Sequence, residues 1–215
     1  MPAPQRPEEI ANFFPKHVIR YAEISRLIPN HVQILFACKY AHNEHVADLI
    51  RFNELVFGEN YLQDALKRWT KVPRERYHFI GHLQSNKVRD AVKLFGTIQT
   101  VDSRKLAEKI SKVAVEEKLN VDVYIQVNAD YNKDQAGVSP KEVGDLVQFV
   151  RTLPNIKLIG LMSMGTLGEN KKQVFVEVKK LADKYKLKTS MGMSEDYQIA
   201  IKEGSDMIRL GRVLL

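Results

Sequence analysis

Cysteine is almost missing: Cys38 stands alone among 215 residues. An intramolecular disulfide framework is thereby excluded, and the usage suits a reducing compartment. Long apolar runs are missing as well. No uninterrupted hydrophobic stretch approaches the length of a membrane-crossing helix, and the opening MPAPQRPEEI has no basic segment followed by an apolar one. Neither a membrane partner nor a secretory leader is therefore expected, and the cytoplasm is the expected location. A Gly/Pro/Ser-rich linker, a low-complexity tract and a local repeat are all wanting, so residues 1–215 are expected to form a single domain.

What is there is ordinary in proportion, with 44% hydrophobic and 27% charged residues. A chain of this size buries roughly 70% of its unfolded surface, so it needs no structural metal to fold. Lys and Arg number 33 against 26 Asp and Glu. The basic residues are densest along 171–188, where Val174, Val178, Leu181 and Tyr185 recur at helical spacing. That pattern is the solvated face of an amphipathic helix, and no recognised motif argues for a nucleic-acid partner.

Short β-rich runs alternate with longer stretches of helical spacing. QILFA (33–37), ELVFG (54–58), YHFIG (77–81) and TIQTV (97–101) come first, then VDVYIQVN (121–128), IKLIGLM (156–162), KTSMG (188–192) and DMIRLG (206–211). Between them, 103–118 and 140–152 place apolar residues every three or four positions, behind helix-start signals at Asp102-Ser103 and Ser139-Pro140. Residues 8–28 add a leading helical region interrupted at Pro15. Eight strands separated by helices, apolar enough to be covered on both faces, predict an α/β fold. A closed (β/α)8 TIM barrel is favoured, although strand counting alone does not exclude an open doubly wound sheet.

Parallel barrels carry their sites at the C-terminal ends of the strands. The first strand ends in Lys39. Alternation along QILFACK sets Leu35, Ala37 and Lys39 on one face and Ile34, Phe36 and Cys38 on the other. With the first set toward the barrel axis, the Lys39 amine enters the mouth, where partial desolvation would favour the neutral form that condenses with an aldehyde. A lysine that merely reaches solvent is the alternative. The second strand closes with FGENY, in which Gly58 allows a tight turn and Asn60 presents an amide, although helix capping alone would explain both. The third closes with IGHLQSNK, polar for a simple turn, with His82 placed to bind a ligand or to serve as a structural histidine. Strands seven and eight run into SMGMS (190–194) and RLGR (209–212). Their glycines allow close backbone approach, a helix starting near Ser194 would offer free N–H groups, and serine hydroxyls would complete an anion site. Arg209 alternates with Met207 and Gly211 and, with that set facing inward, points to the same mouth as Lys39. The pair His42-x-x-His45 has no cysteines nearby and is not expected to hold a metal.

On FGENYLQDALKRW, YHFIGHLQSNK, IGLMSMG, SMGMSEDYQIAIKEGSDMIRLG and the short ACK around Lys39, the sequence resembles the YggS/PROSC group of pyridoxal phosphate homeostasis proteins. The resemblance covers roughly residues 33–212. It implies the barrel of the alanine racemase N-terminal domain, pyridoxal 5′-phosphate (PLP) as cofactor, Lys39 as its Schiff-base lysine and Arg209 facing the pyridine nitrogen. An arginine does not readily give up its proton, so that nitrogen would stay unprotonated and the ring would be a poorer electron sink. Asn60, Met162, Ser190 and Ser194 are carried over as pocket residues, with Ser194 and the amides of Gly211 and Arg212 at the phosphate. His82 matches the family's histidine after strand three. Departures stand beside the matches. Cys38-Lys39-Tyr40 replaces the usual S-K-T or similar, and Arg212 replaces a small hydroxyl residue. The loop after GLM lacks the usual proline, and the chain stops slightly early, at Leu215.

The implied function is intracellular PLP (vitamin B6) homeostasis by a monomer that carries the cofactor reversibly, without catalytic turnover, with PLP-dependent apoenzymes as recipients. The rival is a PLP-dependent amino-acid racemase. It needs a second acid/base on the opposite face of the substrate, which in alanine racemases is a tyrosine on a separate C-terminal β-domain. No such domain is expected within these residues. Tyr40 and Tyr61 lie near candidate loops, but nothing in the sequence assigns either a proton-transfer role.

Overall fold

The computed structural model describes residues 14–68, 72–132, 134–165 and 170–215. Eight parallel strands close into a ring in sequence order. They are β1 Gln33–Ala37, β2 Val56–Glu59, β3 Tyr77–Phe79, β4 Thr97–Val101, β5 Val121–Gln126, β6 Ile156–Met162, β7 Lys188–Met193 and β8 Met207–Leu210. The eighth pairs with the first, Leu35 opposite Arg209, which excludes the open-sheet alternative. Around the ring, among the described residues, run α1 Lys16–Leu27, α2 Asn43–Leu49, α3 Leu62–Arg68, α4 Val88–Leu94, α5 Arg104–Glu116, α6 Val143–Val150, α7 Lys171–Tyr185 and α8 Tyr197–Lys202.

The leading region divides as Pro15 suggests, with α1 beginning at the next residue; residues 8–13 of the expected segment lie outside the described ones. This helix occupies the place that a helix after β8 would fill. It buries Val18 and Tyr21 and packs on the 3-10 turn Arg212–Leu214 that follows β8. Ser103 caps α5 as expected, its hydroxyl oxygen accepting from the Leu106 amide at 3.3 Å. At the other start signal the helix is shorter than the spacing predicts. The Ser139 hydroxyl and amide both donate to the Glu142 carboxylate, at 2.6 and 3.2 Å, so a turn precedes α6. Strand β3 is also shorter than expected. Gly81 approaches the Asn60 backbone so closely that a Cβ there would lie 2.0 Å from the Asn60 carbonyl oxygen, and the two loops meet where the ladder stops.

The two faces of the sheet differ in chemistry. Ile34, Phe36, Phe57, Tyr77, Phe79 and Ile98 face outward into the large apolar layer under the helices. Inside the ring the apolar cluster is small: Leu35, Val56, Ile80 and Met207, with Ala37 against them. Polar side chains share the rest of the interior, among them His78, Gln99, Ser190 and Arg209, all buried. A parallel barrel normally fills this space with branched aliphatics. Here part of it is a hydrogen-bonded network directly below the C-terminal rim.

Candidate functional site

Lys39 lies in the 3-10 turn Cys38–Tyr40, immediately after β1. The alternation expected along this strand holds, with Leu35 inside and Ile34, Phe36 and Cys38 outside. The partial desolvation expected of Lys39 does not: the strand ends one residue before the turn, and Lys39 is exposed at the rim. Its Nζ sits 5.2 Å from the ring centre of Tyr40 and 5.8 Å from that of Tyr61, within cation–π reach of both. A cavity of about 320 Å3 opens beside it. Ala37, Ile80, Met164 and Met193 give it apolar walls, while Asn60, Ser194, Asp196, Arg209, Gly211 and Arg212 bring polar groups.

Arg209 contributes to the same cavity but is only 3% exposed. Its Nη1 donates to the Ser190 carbonyl at 2.7 Å and the Ser190 hydroxyl at 2.9 Å, and its Nη2 donates to the Ser163 carbonyl at 2.7 Å. All three acceptors are neutral. Burial brings the guanidinium down to about 10, against the pull of nearby Asp196. Arginine is a donor only, and that sets the direction of everything behind it. The Ser190 hydroxyl, accepting from Arg209, donates to Gln99 Oε1 at 2.7 Å. The Gln99 amide nitrogen then lies 2.8 Å from His78 Nδ1, which must accept. Burial lowers His78 to about 3, so the neutral imidazole that this chain requires is also the form the interior favours.

The opposite rim is built by the turn after β7. Gly192 has φ of +90°, and a Cβ there would stand 2.5 Å from the Ala200 methyl. Ser194 Oγ accepts a long 3.3 Å bond from the Gly211 amide. The helix expected near Ser194 begins only at Tyr197 and has six residues. Before it the amides are engaged locally, Met193 N–H to the Asp196 carboxylate at 2.6 Å and Asp196 N–H to the Met193 carbonyl at 3.0 Å. Arg212 reaches over the rim to Glu195 at 3.1 Å, both exposed.

The cavity thus brings together Lys39, Asn60, Ser194, Arg209, Gly211 and Arg212. Ser190 and Met162, opposite each other in the β6–β7 ladder, are wholly buried and do not line it. Ser190 acts one layer down, as the acceptor that orients Arg209. His82 is exposed and does not line the cavity. His42 and His45 open α2, with the His45 ring tilted against that of His17 at 4.5 Å between centres. Sequence reasoning missed Gln99, Asp196 and Lys171. For Gln99 a signal existed, because an amide in the middle of a strand covered on both faces must find buried partners. Lys171 lines the cavity as the first residue of α7, beyond the strand ends from which the sequence argument reads the site.

The donor set suits a phosphorylated aldehyde. Four cations, Lys39, Lys171, Arg209 and Arg212, face two carboxylates, and both carboxylates already hold local partners. Among the described residues the Lys39 amine has no carboxylate partner at the rim, and the Arg209 cation lies deeper, against neutral oxygens.

The family model for the alanine racemase N-terminal domain matches residues 20–215. The pyridoxal phosphate homeostasis protein of Aquifex aeolicus is 32% identical over 197 residues, spanning 86% of each chain. PipY of Synechococcus elongatus, 29% identical, superposes with a TM-score of 0.85 without PLP, covering 91% of this chain and 98% of that one. With PLP bound it superposes with 0.82, covering 92% and 99%. A Clostridium difficile alanine racemase shares the fold at a TM-score of 0.75 and 15% identity; the match covers 93% of this chain and 56% of the racemase.

Proposed function

Because the chain belongs to the alanine racemase N-terminal domain family, we propose that its barrel binds pyridoxal 5′-phosphate and serves intracellular vitamin B6 homeostasis. The observation that carries the reading is the pairing, in one cavity, of an exposed amine, Lys39, with a buried cation, Arg209, whose hydrogen-bond acceptors among the described residues are all neutral. The homeostasis protein of Aquifex aeolicus and PLP-bound PipY support it. Bound here, the cofactor would supply an aldehyde for a Schiff base with Lys39 and a pyridine ring whose strength as an electron sink depends on its nitrogen.

The protein's part follows from its own groups. Lys39 is the nucleophile, and its setting between two tyrosine rings and solvent leaves it free to react and to be released. Arg209, pinned by Ser190 and Ser163, presents a donor where a catalytic site would want a proton source for the ring, and it gives up no proton. Ser194, the Gly211 amide, Lys171 and Arg212 provide the anion end. A covalently held cofactor denied a strong electron sink suits reversible carriage to PLP-dependent apoenzymes, by one barrel domain acting as a monomer.

The decisive measurement is the visible absorption of purified protein after PLP is added and the excess removed. The wild type retains a lysine-bound band and Lys39→Ala loses it; no retained band in the wild type sinks the proposal. One observation favours testing the racemase reading beside it, since Tyr40 and Tyr61 both stand against Lys39. Lys39-dependent racemisation of an amino-acid panel that falls with Tyr40→Phe or Tyr61→Phe would make the protein an enzyme.

A further inference from the structure

Behind the strand that presents Lys39, on the side away from the cavity, lies a charged cluster that the proposed site does not use. Cys38, the first residue of the turn after β1, and Glu59, at the end of β2, stand on the outer side of the ring, both with no exposed surface. Glu59 is ion-paired with Arg68 of α3 and accepts from the Tyr77 hydroxyl at 3.3 Å. Its second oxygen, Oε2, has no partner among the described residues. Burial raises the carboxyl above its ordinary range even with Arg68 pulling it down. A buried pair of this kind is close to break-even for stability, and apolar side chains of similar size would serve packing as well. The rest of Arg68 shows what the pair is aimed at. Its Nη2 donates to the Ala41 carbonyl at 2.6 Å and its Nε to the Asn43 side-chain oxygen at 3.0 Å. Those residues carry the chain from the Lys39 turn into α2.

Lys39 itself is exposed, and among the described residues its tip meets the rings of Tyr40 and Tyr61, so its standing point depends on the backbone of its turn. We propose that Arg68, oriented by Glu59, is a positioning residue for Lys39. It clamps the Lys39–Tyr40–Ala41 turn from behind and thereby sets how fast the cofactor is taken up and released. This rests on the reading of Lys39 given above.

The test follows PLP uptake by stopped-flow absorption across pH, release into excess of a small amine, and thermal melting. It uses Arg68→Lys, Asn43→Ala and the double variant Glu59→Gln/Arg68→Gln, which leaves no lone buried charge. Small misplacements of a reacting group cost large factors in rate. Arg68→Lys and the double variant should take up PLP about 10-fold more slowly, with the pH midpoint of uptake displaced, in protein that remains folded at the assay temperature. Asn43→Ala, which keeps the ion pair and removes one tether, should lose about 2- to 3-fold. Wild-type rates and pH profile in both Arg68→Lys and Asn43→Ala overturn the proposal, as does a loss no larger than the unfolded fraction accounts for. Failure of the wild type to take up PLP overturns the reading of Lys39 itself, and so is told apart from failure of the clamp alone.

Discussion

Lys39, on the turn after β1, and Arg209, in the neighbouring strand β8, line one cavity, yet their surroundings differ in kind. Lys39 is exposed on a turn, touched at its tip by two exposed aromatic rings. Arg209 belongs to the strand ladder itself and is fixed by three short hydrogen bonds to neutral oxygens. The difference teaches that one site can divide its labour between a group that must move and a group that must not. Removal of the first should change chemistry without stability, and removal of the second should change both.

The largest expected effect breaks the fixed side. Arg209→Met leaves the Ser163 carbonyl without a partner among the described residues and takes one bond each from the Ser190 carbonyl and hydroxyl, which keep the Ser163 amide and Gln99. At about 1–3 kcal/mol for the stranded group and about 0.5–1.5 for each other bond, urea denaturation should show a loss of roughly 2–6 kcal/mol. Lys39→Met should stay within about 0.5 kcal/mol of the wild type in the same experiment, as exposed substitutions do; equal losses would abolish the contrast. Gln99→Leu comes next. It takes the acceptor from the Ser190 hydroxyl, which keeps its bond from Arg209, and leaves His78 Nδ1 without a partner among the described residues, and should cost about 1–3 kcal/mol while PLP binding weakens through a misaligned Arg209.

A pH titration sharpens the same side. Folding depresses His78 from 6.5 to about 3, so its unfolded form binds the proton that the native form refuses. The stability associated with the neutral ring is complete above pH 6.5 and is lost as pH falls toward 3, at no more than about 1.4 kcal/mol per pH unit. His78→Gln should flatten the acid limb between those limits, and an unchanged slope would show that the ring titrates normally. The smallest effect belongs to the rim. Arg212→Ser breaks only an exposed pair with Glu195, so stability should shift by less than about 1 kcal/mol, while PLP affinity falls a few-fold if Arg212 meets the phosphate.

The closed barrel was legible because its strands are short apolar runs separated by helical spacing, and Lys39 and Arg209 were legible from period-two alternation toward one mouth. What alternation could not convey was depth. It assigned Lys39 to the inner face without showing that a 3-10 turn lifts it to the surface, and it treated Ser190 as a pocket residue when it lies one layer below. Gln99 and His78 matter only through the hydrogen bonds that join them across the ring, between residues far apart in sequence. Glu59 and Arg68 sit in the same quoted segment, FGENYLQDALKRW, but the Ala41 carbonyl that Arg68 holds belongs to the preceding loop. Contacts of that kind exist only after the strands have been laid side by side.

The seam between β1 and β8 carries one more implication, which concerns when the site comes into being. Leu35 pairs with Arg209, and the first helix packs on the turn after the last strand, so the two halves of the cavity are joined by the contacts most distant along the chain. Such contacts form late because loop closure precedes their reward. In refolding, helical circular dichroism should therefore recover before PLP is captured. A chain whose synthesis stops short of β8 carries Lys39 but no Arg209 to face it, so PLP capture is expected only once the ring has closed.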